Sequence, residues 1–325
     1  MSGGTLAQLH SESRVPIHDV HDRLCLFGEH DRNLRQLERA TNVELCVRDD
    51  ALIISGEPVD VAVAAAALGS LASAARAGDQ IADEDVRVSI EAARAGAAGG
   101  SAFDENWTLA TSARGRPLRP RSAGQREFVN AVRTHTLTLC TGPAGTGKTL
   151  LAVVLAVGAL RAEQARRIVL SRPAVEAGEK LGFLPGSLEE KVDPYLRPLF
   201  DALGELMEPS VIERAIERGQ IEVVPLAYMR GRTLSDAFIV LDEAQNASVQ
   251  QMKMFLTRIG TGSRVIACGD ATQVDLPAGV QSGLVHAAQI CAGIDDIAIV
   301  NLTDADVVRH GLIRRIIAAY AAKHP

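Results

Sequence analysis

The chain has no excess of positive charge: 34 lysines and arginines against 40 aspartates and glutamates leave it at −6. It is therefore not built to hold nucleic acid by bulk electrostatics, although a local basic groove stays open. It also lacks any Cys-x-x-Cys pair, its five cysteines (Cys25, Cys46, Cys140, Cys268, Cys291) lying far apart. That spacing argues against a metal knot or disulfide framework and leaves reduced cytosolic thiols as the default. No apolar run has the length of a bilayer span; Val61 to Ala75 is too short, consists largely of alanine and reads as a packed helix. Glu12, Asp19 and Asp22 precede any apolar stretch, so the start does not resemble a secretory signal. Internal repeats are absent. These features predict a soluble, cytoplasmic protein with no membrane partner.

What is present is length and apolar content. With 325 residues, 47% of them hydrophobic, the chain exceeds one average domain and can bury a substantial core. Glu91 to Ala102 is small, glycine-broken and aperiodic, which marks a linker, and it continues into the basic, proline-punctuated Arg114 to Arg121. The expected organisation is a flexible N-terminus over 1–14, a small α+β domain over 15–90, a linker over 91–117 and a larger α/β domain over 118–325. In the small domain, Asp22 to Phe27 reads as a strand, Asp31 to Ala40 as a helix, Val43 to Val47 and Ala51 to Ser55 as paired strands, and Val59 to Ala77 as a closing helix.

In the larger domain, helical and strand-like segments alternate as in a parallel sheet. The expected strands are Thr136 to Cys140, Ile168 to Ser171, Ile221 to Val224, Ala237 to Leu241, Arg264 to Cys268 and Ile297 to Asn301. Several are short and nearly all apolar, as strands covered on both faces are. Ser210 with Glu213 and Ser248 with Gln251 have capping-box spacing, while Gly219 and Gly260 sit where helices would stop.

The chemistry starts at Gly142-Pro143-Ala144-Gly145-Thr146-Gly147-Lys148-Thr149, a Gly-x-x-x-x-Gly-Lys-Thr loop between a strand and the helical run Leu150 to Leu160. Gly142, Gly145 and Gly147 permit backbone conformations closed to residues with a Cβ, so that successive N–H groups can turn inward on phosphate. Lys148 supplies a full charge for the β- and γ-phosphates, and the Thr149 hydroxyl is placed for Mg²⁺. The competing reading is a glycine-rich turn that binds nothing, which would need strand, loop, Lys-Thr and helix to coincide by accident.

Phe238 to Glu243 is an apolar strand ending in two carboxylates. Asp242 would hold Mg²⁺ beside Thr149, and Glu243 would activate the attacking water. A surface Asp-Glu pair opening a helix is the bland alternative. Gly269 to Gln273 closes another strand, so Asp270 and Gln273 should face the same crevice. Gln273 is a candidate γ-phosphate sensor, against a plain turn cap by Asp270. Gln125 lies 17 residues before Gly142, where an amide could read adenine. Arg172 and Arg309, the latter in Asp306-Val-Val-Arg-His310, are candidates for transition-state charge.

Longer stretches carry a resemblance: Ser171 to Gly186, Lys191 to Pro198, Pro225 to Thr233, Asp242 to Asn246 and Gly269 to Pro277. Through them residues 118–325 resemble the PhoH-like ATPases, especially YbeZ-type members. The resemblance implies a P-loop, RecA-like domain similar to the first such domain of superfamily 1 helicases, with ATP and Mg²⁺ as cofactors. It also implies a role in RNA metabolism, commonly ribosomal RNA maturation with a YbeY-type endoribonuclease, and hexameric rings. Because the chain has room for one such domain, a neighbouring subunit would supply an arginine in trans, Arg309 or Arg230. The N-terminal module weakly resembles a KH-like region. Its Gly28-Glu-His-Asp31 carries aspartate where an RNA-binding loop has its second glycine, which favours a structural or assembly role there. The basic stretch Arg114 to Arg126 is the better RNA candidate, against a solvated hinge.

The leading expectation is an RNA-associated ATPase. An ATP-dependent ring scaffold that recruits an endoribonuclease without unwinding is the alternative. A small-molecule kinase is disfavoured, because adjacent Asp242 and Glu243 suit water activation.

Overall fold

The computed structural model describes residues 11–17, 20–76, 81, 83–94, 107–173 and 188–307. The chain divides into two compact units, the second being Leu109–Val307.

The first unit runs β1 (Ser11–Pro16), α1 (Val20–Phe27), α2 (Arg32–Thr41), β2 (Glu44–Arg48), β3 (Ala51–Gly56), α3 (Pro58–Arg76) and α4 (Asp83–Arg94). β3 is central and antiparallel to both neighbours, giving the order β1-β3-β2. Two expectations are corrected. Asp22 to Phe27 belongs to a helix, not a strand: Leu26 and Phe27 are buried while Leu24 is exposed, a one-sided pattern that a four-residue apolar run does not reveal. The first strand is instead β1, which begins inside the segment expected to be a flexible N-terminus and pairs with β3 from Ser11↔Gly56 to Pro16↔Ala51. Helix α4 was unforeseen, and its last turn occupies the start of the expected linker. Helix α3 extends beyond the Val61 to Ala75 run at both ends and at 19 residues has the length and apolarity to cross a membrane, which corrects the expectation that this segment is too short. Yet Val61, Ala64, Leu68 and Leu71 are buried in this unit's core with Leu37, Leu52, Ile54 and Val86, as the reading of a packed helix expects.

The second unit opens with a small hairpin, β4 (Ala110–Thr111) and β5 (Pro117–Leu118), then α5 (Ala123–Thr134), β6 (Leu137–Thr141), α6 (Lys148–Arg161) and β7 (Arg167–Arg172). It continues with α7 (Leu188–Gly204), α8 (Pro209–Glu217), β8 (Ile221–Pro225), β9 (Ala237–Leu241), α9 (Val249–Leu256), β10 (Arg264–Gly269), α10 (Gly283–Ile290) and β11 (Ile297–Asn301). All six expected strands are present. They form one parallel sheet in the order β11-β6-β10-β9-β7-β8. Every residue of β9 is buried, as its unbroken Ala-Phe-Ile-Val-Leu predicts for an interior strand. The Ser248 and Gln251 capping box opens α9 with both reciprocal bonds. The Ser210 and Glu213 box does not form: α8 starts on Pro209, whose fixed φ suits the first helical position, so its N-cap is Glu208.

Strand order decides the site. β10 separates the strand that feeds the glycine-rich loop, β6, from the one that carries Asp242 and Glu243, β9. The C-terminal ends of all three meet on one edge, where ligands of open parallel sheets gather.

Candidate nucleotide site

The loop after β6 gets its shape from glycine in two different ways. Gly145 and Gly147 hold φ of 87° and 75°, values that favour glycine. Gly142 does not, which corrects the expectation for that residue. There a Cβ would lie 2.6 Å from the Leu302 Cβ and 2.9 Å from the Leu302 carbonyl oxygen, so Gly142 is required by the close approach of the chain beyond β11. Leu302 N–H in turn donates to the Thr141 carbonyl at 2.7 Å. Helix α6 begins at Lys148, directing its positive end at the loop. Lys148 is buried, and its ammonium donates to the carbonyls of Gly142 at 2.6 Å and Pro143 at 2.8 Å and to Thr146 Oγ1 at 3.3 Å.

Thr149 Oγ1 donates to Asp242 Oδ1 at 2.7 Å. Two residues 93 apart in sequence thus bring hard oxygen donors together, a set that suits Mg²⁺ alongside phosphate oxygens. Burial raises the Asp242 carboxyl above its ordinary range; the Thr149 bond opposes this, the Glu243 charge adds to it, and Arg172 opposes it. The Cys268 thiol also donates to Asp242 Oδ1, at 3.6 Å. Cys268 stands beside Cys140 in the β6/β10 register. Burial pushes Cys140 up to about 12 and Cys268 well above its usual value, so both are neutral, unreactive thiols at pH 7.

Glu243 adopts the left-handed conformation, φ 49°, at the turn out of β9. Its carboxylate is held from two sides: Arg172 Nη2 lies 3.4 Å from Oε1, and Gln245 Nε2 donates to Oε2 at 2.5 Å. Arg172, named from sequence for transition-state charge, is thus a partner of the water-activating candidate, and its Nη1 also donates to the Tyr195 carbonyl at 3.4 Å. Gln245 is the residue that sequence reasoning passed over. Almost fully buried, it also donates to the Gln273 carbonyl at 3.1 Å and accepts from Asp270 N–H at 3.0 Å, tying the end of β9 to the end of β10. Gly269 makes room for it, since a Cβ there would overlap Gln245 Oε1. An inward amide between two acidic strand ends was the available signal.

Asp270 combines its two expected roles. Oδ1 accepts from Thr272 N–H at 2.9 Å and Thr272 Oγ1 at 2.6 Å as a turn cap, while Oδ2 accepts from the loop's Ala144 N–H at 2.9 Å. Burial alone would raise its carboxyl, but these bonds and the Lys148 charge bring it below the usual range. Gln273 joins the network through its backbone carbonyl, and its side chain is exposed.

Gln125 is buried, and both ends of its amide are engaged: Nε2 donates to the Thr146 carbonyl at 2.9 Å, and Oε1 accepts from Arg121 N–H at 2.5 Å. Asp306 secures the same helix end, accepting from Gly124 N–H at 3.1 Å and from Thr303 N–H at 2.8 Å. Arg309 lies outside the described residues. A cavity of about 690 Å³ lined by Leu109, Val132, Val154, Phe238 and Arg264 opens at the other, N-terminal edge of the sheet, away from this chemistry.

Comparison with known proteins places the chain in a family. The family model described as PhoH-like protein matches residues 117–321. A PhoH-like protein of Mycobacterium tuberculosis (strain ATCC 25618 / H37Rv) is 51% identical over 97% of this chain and 88% of its own. That of Bacillus subtilis (strain 168) is 48% identical over 92% of this chain and 94% of its own. Protein PhoH of Escherichia coli (strain K12) is 42% identical over 63% of this chain and 58% of its own.

Proposed function

Since the chain belongs to the PhoH-like protein family, we propose that it is a Mg²⁺-dependent ATPase acting in RNA metabolism in the cytoplasm. The observation that carries the ATPase reading is the 2.7 Å bond between Thr149 and Asp242, with Glu243 alongside and held by Arg172 and Gln245.

The loop N–H groups, the α6 N-terminus and Lys148 would receive the β- and γ-phosphates. Thr149 and Asp242 would hold Mg²⁺, which neutralises charge developing on the phosphate oxygens. Glu243 would orient the attacking water and accept its proton, with Arg172 and Gln245 fixing the direction of the carboxylate. Gln273 would sense the γ-phosphate from the next strand end, and Gln125 would border the adenine. ATP turnover by wild type and Glu243→Gln, each with and without structured RNA, tests this. Glu243→Gln should bind ATP without hydrolysing it; undiminished turnover removes Glu243 from its role.

The RNA reading rests on the family resemblance, and the first unit is read as a structural or assembly module. Its β-α-α-β-β-α course from β1 to α3, with sheet order β1-β3-β2 and α4 added at the end, suits a KH-like module. Gly28 has φ 70° and Asp31 φ 56°, so the loop keeps a backbone that glycine favours while presenting a carboxylate at its end. For the whole protein we extend the proposal to a homo-oligomeric, hexameric ring in which Arg309 of one subunit reaches the neighbouring site, and to a YbeY-type endoribonuclease as partner. Mixing Lys148→Ala with Arg309→Ala subunits should restore some ATPase activity; none in any mixture counts against Arg309 acting across the interface.

A further inference from the structure

Tyr228 is the one exposed aromatic side chain among the described residues, 47% accessible in a chain only 3% aromatic. Its presentation is built. A 3-10 turn, Leu226–Met229, follows β8, and buried Leu226 and Met229 anchor it while Tyr228 points out. Beyond it, Gly231 takes φ 79° and Arg232 N–H donates back to the Met229 carbonyl at 3.2 Å. Arg232 grips Glu222 with both guanidinium nitrogens, at 2.5 and 2.7 Å, and Arg258 Nη1 donates to the Arg232 carbonyl at 3.0 Å. The segment is thus fixed at both ends, and what it offers solvent is Tyr228 and, two residues on, exposed Arg230.

The one acid of β8, Glu222, is taken up by Arg232, and the exposed charge that the turn itself offers is Arg230. Pro225 to Thr233 contains two arginines and no acid. Helix α9, which packs on the turn, carries Lys253 and is followed by Arg258. An exposed ring flanked by cations on a rigid turn suits a polyanion with flat faces: the ring stacks on a base, and the guanidinium takes a phosphate. The turn is also one residue removed from the carboxylate that would activate water. Pro225 pairs with Arg172 in the β7/β8 register, and Arg172 holds Glu243.

We propose that Tyr228 and Arg230 form a single-stranded RNA platform at the C-terminal end of β8, Tyr228 stacking on a base and Arg230 contacting the adjacent phosphate. RNA seated there is linked to hydrolysis through Arg172 and Glu243. This inference rests on the RNA reading above and names where that RNA sits.

The test is binding of a fluorescein-labelled oligouridine by the full chain with Mg²⁺ and a non-hydrolysable ATP analogue, for wild type, Tyr228→Ala, Tyr228→Phe and Arg230→Gln. Tyr228→Ala should weaken binding about 5- to 150-fold while Tyr228→Phe stays within roughly twofold, because stacking needs the ring and not the hydroxyl. Arg230→Gln should flatten the slope of log affinity against log salt by about 0.7, one phosphate contact on a single strand. Tyr228→Ala should keep its ATPase rate without RNA and lose stimulation by RNA. Wild-type-like binding by Tyr228→Ala overturns the platform and leaves the RNA reading standing; no RNA binding by wild type overturns both. A change in oligomer mass for Tyr228→Ala, read by light scattering, also overturns it by assigning the ring to a subunit contact.

Discussion

Gln125 Nε2 donates to the carbonyl of Thr146 at 2.9 Å, so the start of α5 and the phosphate loop are locked together across 21 residues of sequence. The glutamine's oxygen is occupied as well, by Arg121 N–H. The structure therefore gives this residue a loop-bracing role that composition and position had not suggested, and the two roles can be separated by experiment.

If Gln125 acts chiefly as a brace, Gln125→Ala leaves buried partners unsatisfied and costs about 1–3 kcal/mol of stability. The Michaelis constants for ATP and GTP should then rise together. A rise confined to ATP would identify direct adenine reading instead.

Gln245 joins Glu243, Asp270 and Gln273 through one amide. Gln245→Leu keeps the volume and removes all three bonds, so Glu243 loses one of its two supports. Turnover should fall about 10- to 100-fold, since misplacing a reacting group by an ångström carries that penalty. The Michaelis constant for ATP should change less. Unaltered turnover in a steady-state assay would show that Arg172 alone suffices to aim Glu243.

Gly142→Ala places a methyl group against Leu302. Overpacking of this kind costs about 1–3 kcal/mol, so the melting temperature should drop. At Gly145 the cause is backbone conformation, so Gly145→Ala should cost about 1–2 kcal/mol in strain and, unlike Gly142→Ala, should chiefly disturb nucleotide affinity through the loop's shape. Thermal melts paired with nucleotide titrations distinguish the two.

Asp270 supplies a pH signature. Its folded carboxyl titrates below the reference value of 3.8, so between the two values the unfolded chain binds more protons and stability rises with pH. The contribution is fully present above 3.8 and is lost as pH falls through the lower, folded value. The stability gap between wild type and Asp270→Asn should therefore be widest near neutrality and close in acid. A gap that stays constant down to the acid limit would mean the carboxylate's charge contributes nothing.

Much of the second unit is legible in the sequence. Strands buried on both faces must be apolar along their whole length, and β6, β9 and β10 each run into a loop carrying glycine, lysine or carboxylates, so their position and use announce each other. The first unit was less legible. Leu24 to Phe27 fits a strand or a helix until the core shows which side is covered, and β1 is recognisable only beside β3. Asp306 and Gly124 are joined across 182 residues, a separation no local pattern reports.

The sequence by itself determined which residues make up the candidate site: a glycine-rich loop closed by Lys148 and Thr149, and acidic residues at the ends of apolar strands. These depend on residue type and on backbone conformations within a few positions, which are local properties. Tertiary structure decided that β10 lies between β6 and β9, that Gln245 ties the end of β9 to the end of β10, that Gln125 braces the loop, and that Tyr228 stands exposed one strand beyond Arg172. Those relations follow from the order in which crossovers stack strands to bury both faces of the sheet, which no single segment encodes.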